Sequence, residues 1–335
     1  MSRKGWLRVA WAALALLTSA CIENAPLDIF KPKGPFAEQI NDLFWPVFWV
    51  AVVIFVLVEG GILFITVVFK DRGGKEAKQI HGNTKLEIMW TVVPALILAS
   101  IAVPTFRAVF DLTECGADAM PVDIIAHQWW FEYRYPNEDI VTANELVMPA
   151  GVEVCARMTS GDVLHNYWIP ALNGKRYIVP GQQTVLRLQA DEPGYFVGQC
   201  AEFCGLSHSL MRARAIARSQ DEFDAWVAQQ KTPALEPAEG SPAAAGKEEF
   251  LAGQCVQCHN ITGVNEVGFD QFYGPDLTHF AGRTTFAGSK FETSAENLKT
   301  WLANPPIEKP GSFMPNLGLT EEQMDRLIAY LESLE

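Results

Sequence analysis

Two stretches of the chain, 45–69 and 88–110, are apolar on every face and long enough to cross a bilayer. Between them lie Lys70, Arg72, Lys75, Lys78 and Lys85, a basic loop that the positive-inside rule assigns to the cytoplasm. Ahead of them, Arg3, Lys4 and Arg8 precede a short apolar run, so residues 1–20 read as a secretory signal. Downstream the period changes. Short alternating or apolar runs recur from about 120 to 217: VDIIAHQ, WFEYRY, ELVM, VEVCARM, TVLRLQA, YFVGQ and RARAIA, punctuated by Gly, Pro and Asn. Such spacing predicts a small antiparallel β-sandwich or barrel. Ser219 and Glu222 then fit a capping box ahead of Phe223, Trp226 and Val227, which predicts a helix ending near 230.

Residues 231–246, KTPALEPAEGSPAAAG, are Pro-, Ala- and Gly-rich and read as a semi-extended linker that lets the following domain move. The remainder is helical in pattern: GKEEFLAG, AENLKTWLA, and a last helix opened by Thr320 and Gln323. Met324, Leu327, Ile328 and Leu331 form one apolar face of that last helix, which marks Met324 as core. The organisation expected is a signal over 1–20, a membrane hairpin within 21–115, a β domain over 116–230, the linker, and a helical domain over 247–335. Glu59 lies inside the first span, where an ionisable group faces protein rather than lipid. Pro94 and Pro104 are expected to bend the second.

Composition supports this division. Hydrophobic residues make up 49% and charged residues 19% of 335, which suits membrane spans beside soluble parts. A net charge of −13 argues against nucleic acid and favours a basic redox partner or subunit face. Cys21 follows Leu17-Thr18-Ser19-Ala20, which is similar to a bacterial lipoprotein cleavage site apart from Thr18.

The chemistry concentrates in two runs. In GQCAEFCGLSHSLM stand Cys200, Glu202, Cys204, His208 and Met211, with His165 upstream in GDVLHNYWIP. Two thiolates, two imidazoles and a thioether are a soft set that suits copper. Two bridging thiolates with a histidine at each end can hold two coppers. The plain alternative is a Cys200–Cys204 disulfide, which leaves His165, His208 and Met211 without a role. The second run is Cys255-Val-Gln-Cys258-His259, a C-x-x-C-H pattern for covalent c-type haem with His259 on the iron. Half a zinc site and a redox C-x-x-C are the alternatives; no second cysteine pair and no strand–helix alternation accompany them. Met314, in the loop GSFMPNLG, is the choice for the sixth iron ligand, with His279 its rival. Cys115 and Cys155 remain. In an oxidising compartment they can pair; two separate buried thiols are the other reading.

Taken together, these motifs resemble subunit II of a bacterial haem-copper cytochrome c oxidase with a cytochrome c fused at its C-terminus. The resemblance covers the whole mature chain. It implies a two-helix transmembrane hairpin, a cupredoxin-like Greek-key β-barrel and an all-α class I cytochrome c domain. It implies binuclear copper A on His165, Cys200, Cys204, His208, Met211 and the Glu202 carbonyl, with the Glu202 side chain toward a magnesium shared with subunit I. HQWWFEYRYP is similar to the family's aromatic stretch, whose first tryptophan, where electrons enter, falls on Trp129. Phe131 stands where many members have tryptophan. KLEIMWTVVP places Glu87 at the family's proton-channel entrance. Implied partners are subunit I and other oxidase subunits, a cytochrome c or cytochrome bc complex as donor, and the bacterial cell membrane, with the soluble domains outside. The reaction implied for the complex is proton-pumping oxidation of cytochrome c by oxygen, the oxygen-reducing site being on another chain. A quinol oxidase subunit would lack the copper ligands. A nitric oxide reductase subunit or a free-standing membrane electron carrier are the remaining rivals.

Overall fold

The computed structural model describes residues 11, 25–70, 73, 79, 81–265 and 274–335. Cys21, nearly all of the signal sequence, and Arg72, Lys75 and Lys78 of the basic loop lie outside them. Two long helices open the fold, α1 (Pro35–Val68) and α2 (Thr84–Asp111). Both are long and apolar enough to cross a membrane, and their apolar side chains point outward rather than into this chain. Each starts before the apolar run itself. Pro35 is favoured in the first turn of α1, and Asn83 caps α2 by accepting from the Lys85 and Leu86 amides. α2 runs on through Pro94 and Pro104.

Ten strands come next: β1 (Met120–His127), β2 (Trp130–Tyr135), β3 (Ile140–Ala143), β4 (Glu145–Pro149), β5 (Val154–Ser160), β6 (His165–Trp168), β7 (Arg176–Ile178), β8 (Thr184–Leu188), β9 (Gly194–Cys200) and β10 (Arg212–Arg218). They form two five-stranded sheets, ordered β3-β2-β1-β5-β8 and β4-β10-β9-β6-β7. The expected sandwich is present, but it is mixed. β1 pairs with β5, and β4 with β10, in parallel. Alternation sends Val122, Ile124 and Ala126 of β1, and Val154, Ala156 and Met158 of β5, into one core. The Tyr135 hydroxyl joins the sheets: it accepts from the Val147 amide at 2.9 Å and donates to the Val147 carbonyl at 2.8 Å. The helix α3 (Gln220–Gln230) closes this domain behind the Ser219–Glu222 capping box.

The hairpin is fastened to the β domain on both sides. Lys33 donates its amide to the Ala171 carbonyl at 2.8 Å and accepts from Asp191 at 2.9 Å. A side chain on Gly34 would strike the Gln189 carbonyl. At the other end Arg187 bonds the Asp111 carbonyl and pairs with Glu153, at 2.7 Å between Nη2 and Oε2. Glu153 also accepts from the Gly116 amide at 2.9 Å. Beside it, Cys115 and Cys155 are joined by a disulfide.

The linker is shorter than its composition predicts, because α4 (Pro242–Ala252) begins inside it. Ser241 caps that helix and Pro242 occupies its first turn, both of which favour initiation. The rest of the linker lies against the C-terminal domain: Ala234 donates to the Thr262 carbonyl, and the Thr232 carbonyl meets His279. That domain adds a short hairpin, β11 (Thr285–Phe286) and β12 (Phe291–Glu292), then α5 (Ala295–Ala303), α6 (Pro305–Glu308) and α7 (Glu321–Leu331). The domain is helical apart from that hairpin of two-residue strands. Met324, Leu327, Ile328 and Leu331 of α7 are buried as the pattern requires. The β11–β12 hairpin rests on the β domain.

Candidate copper and haem centres

The β9–β10 connection and the neighbouring β6 assemble the first site. β6 pairs with β9 so that Tyr167 lies opposite Cys200, which brings His165 to the end of β9. Cys200 Sγ and Cys204 Sγ are 3.7 Å apart and buried. His165 Nδ1 lies 3.9 Å from Cys200 Sγ, and His208 Nδ1 lies 3.6 Å from Cys204 Sγ. Met211 Sδ is 3.9 Å from Cys204 Sγ, and the Glu202 carbonyl oxygen is 3.3 Å from Cys200 Sγ. Two thiols side by side with an imidazole at each end are a donor set for a pair of soft ions, and the separations suit bridging sulfurs. His165 and both cysteines also form a compact cluster of potential metal ligands.

The bond between the two thiols splits their proton affinities. The hydrogen bond with Cys204 lowers the Cys200 thiol, against the opposing effect of burial. Cys204 is raised in turn, by that same bond and by burial. Asp162 was missed in the sequence, although it stands three residues before His165. Its Oδ1 lies 2.8 Å from His165 Nε2, the usual way a carboxylate fixes a ligating imidazole. Burial disfavours the charged form of His165, but Asp162 and Cys200 outweigh it and raise its pKa.

Trp129 connects this site to the second. It is 5% exposed, and its indole N–H donates to the Cys204 carbonyl at 3.1 Å. Gln128 Nε2 donates to the same oxygen at 2.7 Å. Trp129, Gln128 and Trp130 also line a cavity of about 340 Å³ in the last domain. Cys255, Cys258, His259 and Met314 line that cavity too, with Phe250, Leu298 and Leu327 as its apolar wall. His279 does not line it; its ring nitrogens lie 2.7 and 3.0 Å from the carbonyls of Glu335 and Thr232.

The cavity fits a haem. His259 Nδ1 is 2.8 Å from the Pro275 carbonyl, which leaves Nε2 for iron. Burial lowers the pKa of His259 and favours the neutral ligand form. A side chain on Gly274 would collide with the His259 ring. Arg283 Nε is buried on the cavity wall without a hydrogen-bond partner, a cation suited to an acidic substituent of the porphyrin. Sequence reading missed Arg283, since one arginine in a loop gives no periodic signal.

Glu87 sits in the first turn of α2 and its Oε1 accepts from the Asn83 amide at 3.2 Å, a capping contact. Glu59 is exposed on α1.

Comparison with known proteins agrees with each segment. Residues 25–108 match the transmembrane domain of cytochrome c oxidase subunit II, 139–217 its periplasmic domain, and 243–335 cytochrome c. A cytochrome c oxidase subunit 2 of Alkalihalophilus pseudofirmus is 36% identical over 96% of this chain and 95% of its own length. The chain belongs to the cytochrome c oxidase subunit II family. A subunit 2 of Bacillus subtilis is 32% identical over 99% of this chain and 98% of its own. A quinol oxidase subunit 2 of Bacillus cereus is 32% identical, but over 67% of this chain and 79% of its own. Family membership with a fused cytochrome c implies copper A and haem c, and the transmembrane match makes this subunit II a membrane-anchored protein.

Proposed function

We propose that this subunit II receives electrons at its haem domain and delivers them through copper A to a haem of subunit I, where oxygen is reduced to water with proton pumping. The observation that carries this reading is the double contact of Trp129, which bonds the Cys204 carbonyl and walls the cavity that holds His259. When bound, the haem and a pair of coppers supply one-electron redox chemistry. Cys255 and Cys258 would tether the haem, and His259 and Met314 would ligate its iron. Met314 is favoured because it lines the cavity while His279 is tied to backbone carbonyls. His165, Cys200, Cys204, His208, Met211 and the Glu202 carbonyl hold the coppers, and Asp162 keeps His165 oriented. The Glu202 side chain contributes to a magnesium site at the subunit I boundary.

Both soluble domains face the outer side of a bacterial membrane, and a cytochrome c or bc complex is the donor. Cys21 is the lipidated residue in this reading. Glu87 collects protons at the cytoplasmic end of α2 beyond its capping role. Glu87→Ala should slow oxygen consumption while the haem and copper are still reduced at the normal rate.

The deciding experiment is an optical and near-infrared spectrum of the purified complex. It should show c-type haem, a delocalised copper band and a-type haem together. Copurification without a-type haem would instead favour a nitric oxide reductase or a free carrier.

A further inference from the structure

The loop-and-hairpin segment 284–292 of the haem domain is buried against the β3–β4 corner through polar groups that find their partners only there. Glu145, at the start of β4, is a buried carboxylate. It accepts from the Thr284 amide at 3.0 Å, from the Thr285 hydroxyl at 2.8 Å and from the Thr284 hydroxyl. Asn144 accepts from the Gly288 amide at 3.0 Å, and Gly288 accepts from the Arg212 amide at 3.0 Å. Gly288 has φ +72°, and a side chain on it would strike Lys309 and the Trp129 carbonyl. Lys309 is buried and donates to the Trp129 carbonyl at 2.5 Å and to Ala287 at 2.7 Å. Ser207, between Cys204 and His208, donates to the Pro310 carbonyl at 2.7 Å.

Separating the domains would break the three contacts that Glu145 accepts from the haem domain and the bond from Lys309 to Trp129, leaving Lys309 with Ala287. Each of these contacts contributes to holding the domains together, those made by the charged groups most. The linker adds no slack, because Thr232 and Ala234 are bonded to the haem domain.

We infer that Glu145 and Lys309 are positioning residues that clamp the haem domain permanently onto Trp129, so that the two domains act as a fixed conductor and not as a tethered shuttle. This rests on the function proposed above. The step it controls moves one electron from the reduced haem to the oxidised copper pair, with no bond broken and no proton transferred. The clamp also hides Trp129 from any external donor, which must deliver to the haem.

Two measurements on the full complex test it. The first is hydrogen exchange at the Thr284 and Gly288 amides, which needs neither turnover nor metal. Both should exchange at least about a hundredfold more slowly than free amides, as clamped backbone does. The second is the single-turnover rate of haem-to-copper transfer. It should be independent of ionic strength, since buried contacts are poorly screened. Glu145→Ala and Lys309→Met should each slow that step by about tenfold or more, the scale on which a charged group's hydrogen bonds act. Haem and copper spectra should be unchanged, and Glu145→Ala should release the Thr284 amide. If Glu145→Ala does not assemble, Thr285→Val removes one contact from the haem side and should slow transfer by about threefold. Fast exchange at these amides in the wild type, or wild-type transfer rates in spectrally intact variants, overturns the clamp. Absence of the copper band from the wild-type complex would overturn the proposed function instead, while the exchange measurement would still report on the clamp.

Discussion

In the β domain, five of the six copper donors lie between Cys200 and Met211, and β6 brings the sixth, His165, alongside by direct pairing with β9. In the haem domain, the attachment run 255–259 and Met314 come from distant segments and meet only across a cavity of about 340 Å³. The first site is framed by the pairing of β6 with β9. The second is a space in the middle of a core. The β domain is built around its side chains, and the haem domain around its prosthetic group. A metal site can therefore be lost while its scaffold survives, whereas loss of the haem removes part of the core.

The sharpest way to break this contrast is to prevent haem attachment. In Cys255→Ser/Cys258→Ser the apolar wall of the cavity, Phe250, Leu298 and Leu327 among it, would lose the covalently held group it packs against. A small domain has little stability to spare for such a loss. Helical circular dichroism and cooperative melting of the C-terminal domain should be lost, while the copper band persists. A haem-free domain that melts cooperatively near the wild-type temperature would contradict the contrast.

Next in size is the Cys115–Cys155 bond, which closes a separation of 40 residues at the base of the β domain. Cys115→Ser/Cys155→Ser should lower β-domain stability by about 4 kcal/mol in the chain-entropy model. Denaturant titration followed by the copper band would measure it. The helical circular dichroism of the haem domain should persist at denaturant concentrations that already unfold the variant's β domain.

Single-ligand changes should separate the two sites without unfolding either. Cys204→Ser should abolish the delocalised near-infrared band and leave thermal stability within about 1–2 kcal/mol of the wild type, since its hydrogen bonds in the loop remain. Met314→Ala should leave the haem attached, lower its reduction potential and admit carbon monoxide to the iron. An unchanged potential would return the axial position to another residue.

The smallest effect is a pH dependence confined to the β domain. The hydrogen bonds from Arg187 lower the Glu153 pKa below its ordinary 4.5, with burial opposing and the Gly116 amide assisting. A carboxylate with a depressed pKa stabilises fully above its unfolded value and loses that contribution as pH falls through the folded one. Melting of the β domain should therefore decline below about pH 4.5. Glu153→Gln should flatten that decline, and the haem domain should show no matching difference between the two proteins.

The contrast also explains what could be read from sequence. The proposed copper donors crowded into one run, a C-x-x-C-H run and two capping boxes are local signals; the first run's side chains come together, the second lines the cavity, and both boxes form. The long alternating strands were legible for the same reason. β3, β6 and β7 were not, because three or four residues are too few to show a period, and HNYW in β6 is mostly polar. The β11–β12 hairpin escaped because two-residue strands owe their form to the surface they rest on. Glu145 was the clue left unused. It opens the run ELVM, every residue of which is buried, so a charged partner-seeking group was heading inward with no local partner in view. Asp162 and Arg283 were missed because their meaning lies wholly in what they face.

The fastenings at both ends of the membrane hairpin carry a mechanical consequence. Lys33 and Gly34 strap the chain to the β domain just before α1, and Arg187 grips the Asp111 carbonyl where α2 ends. A body mounted at two separated points is left with rotation about the line that joins them. The height of Cys200 and Cys204 above the lipid surface is thus set by the hairpin, like a lamp on a two-legged bracket. Electron tunnelling weakens steeply with distance, so this mounting limits changes in the gap to an acceptor buried in the same membrane while the bilayer flexes around it.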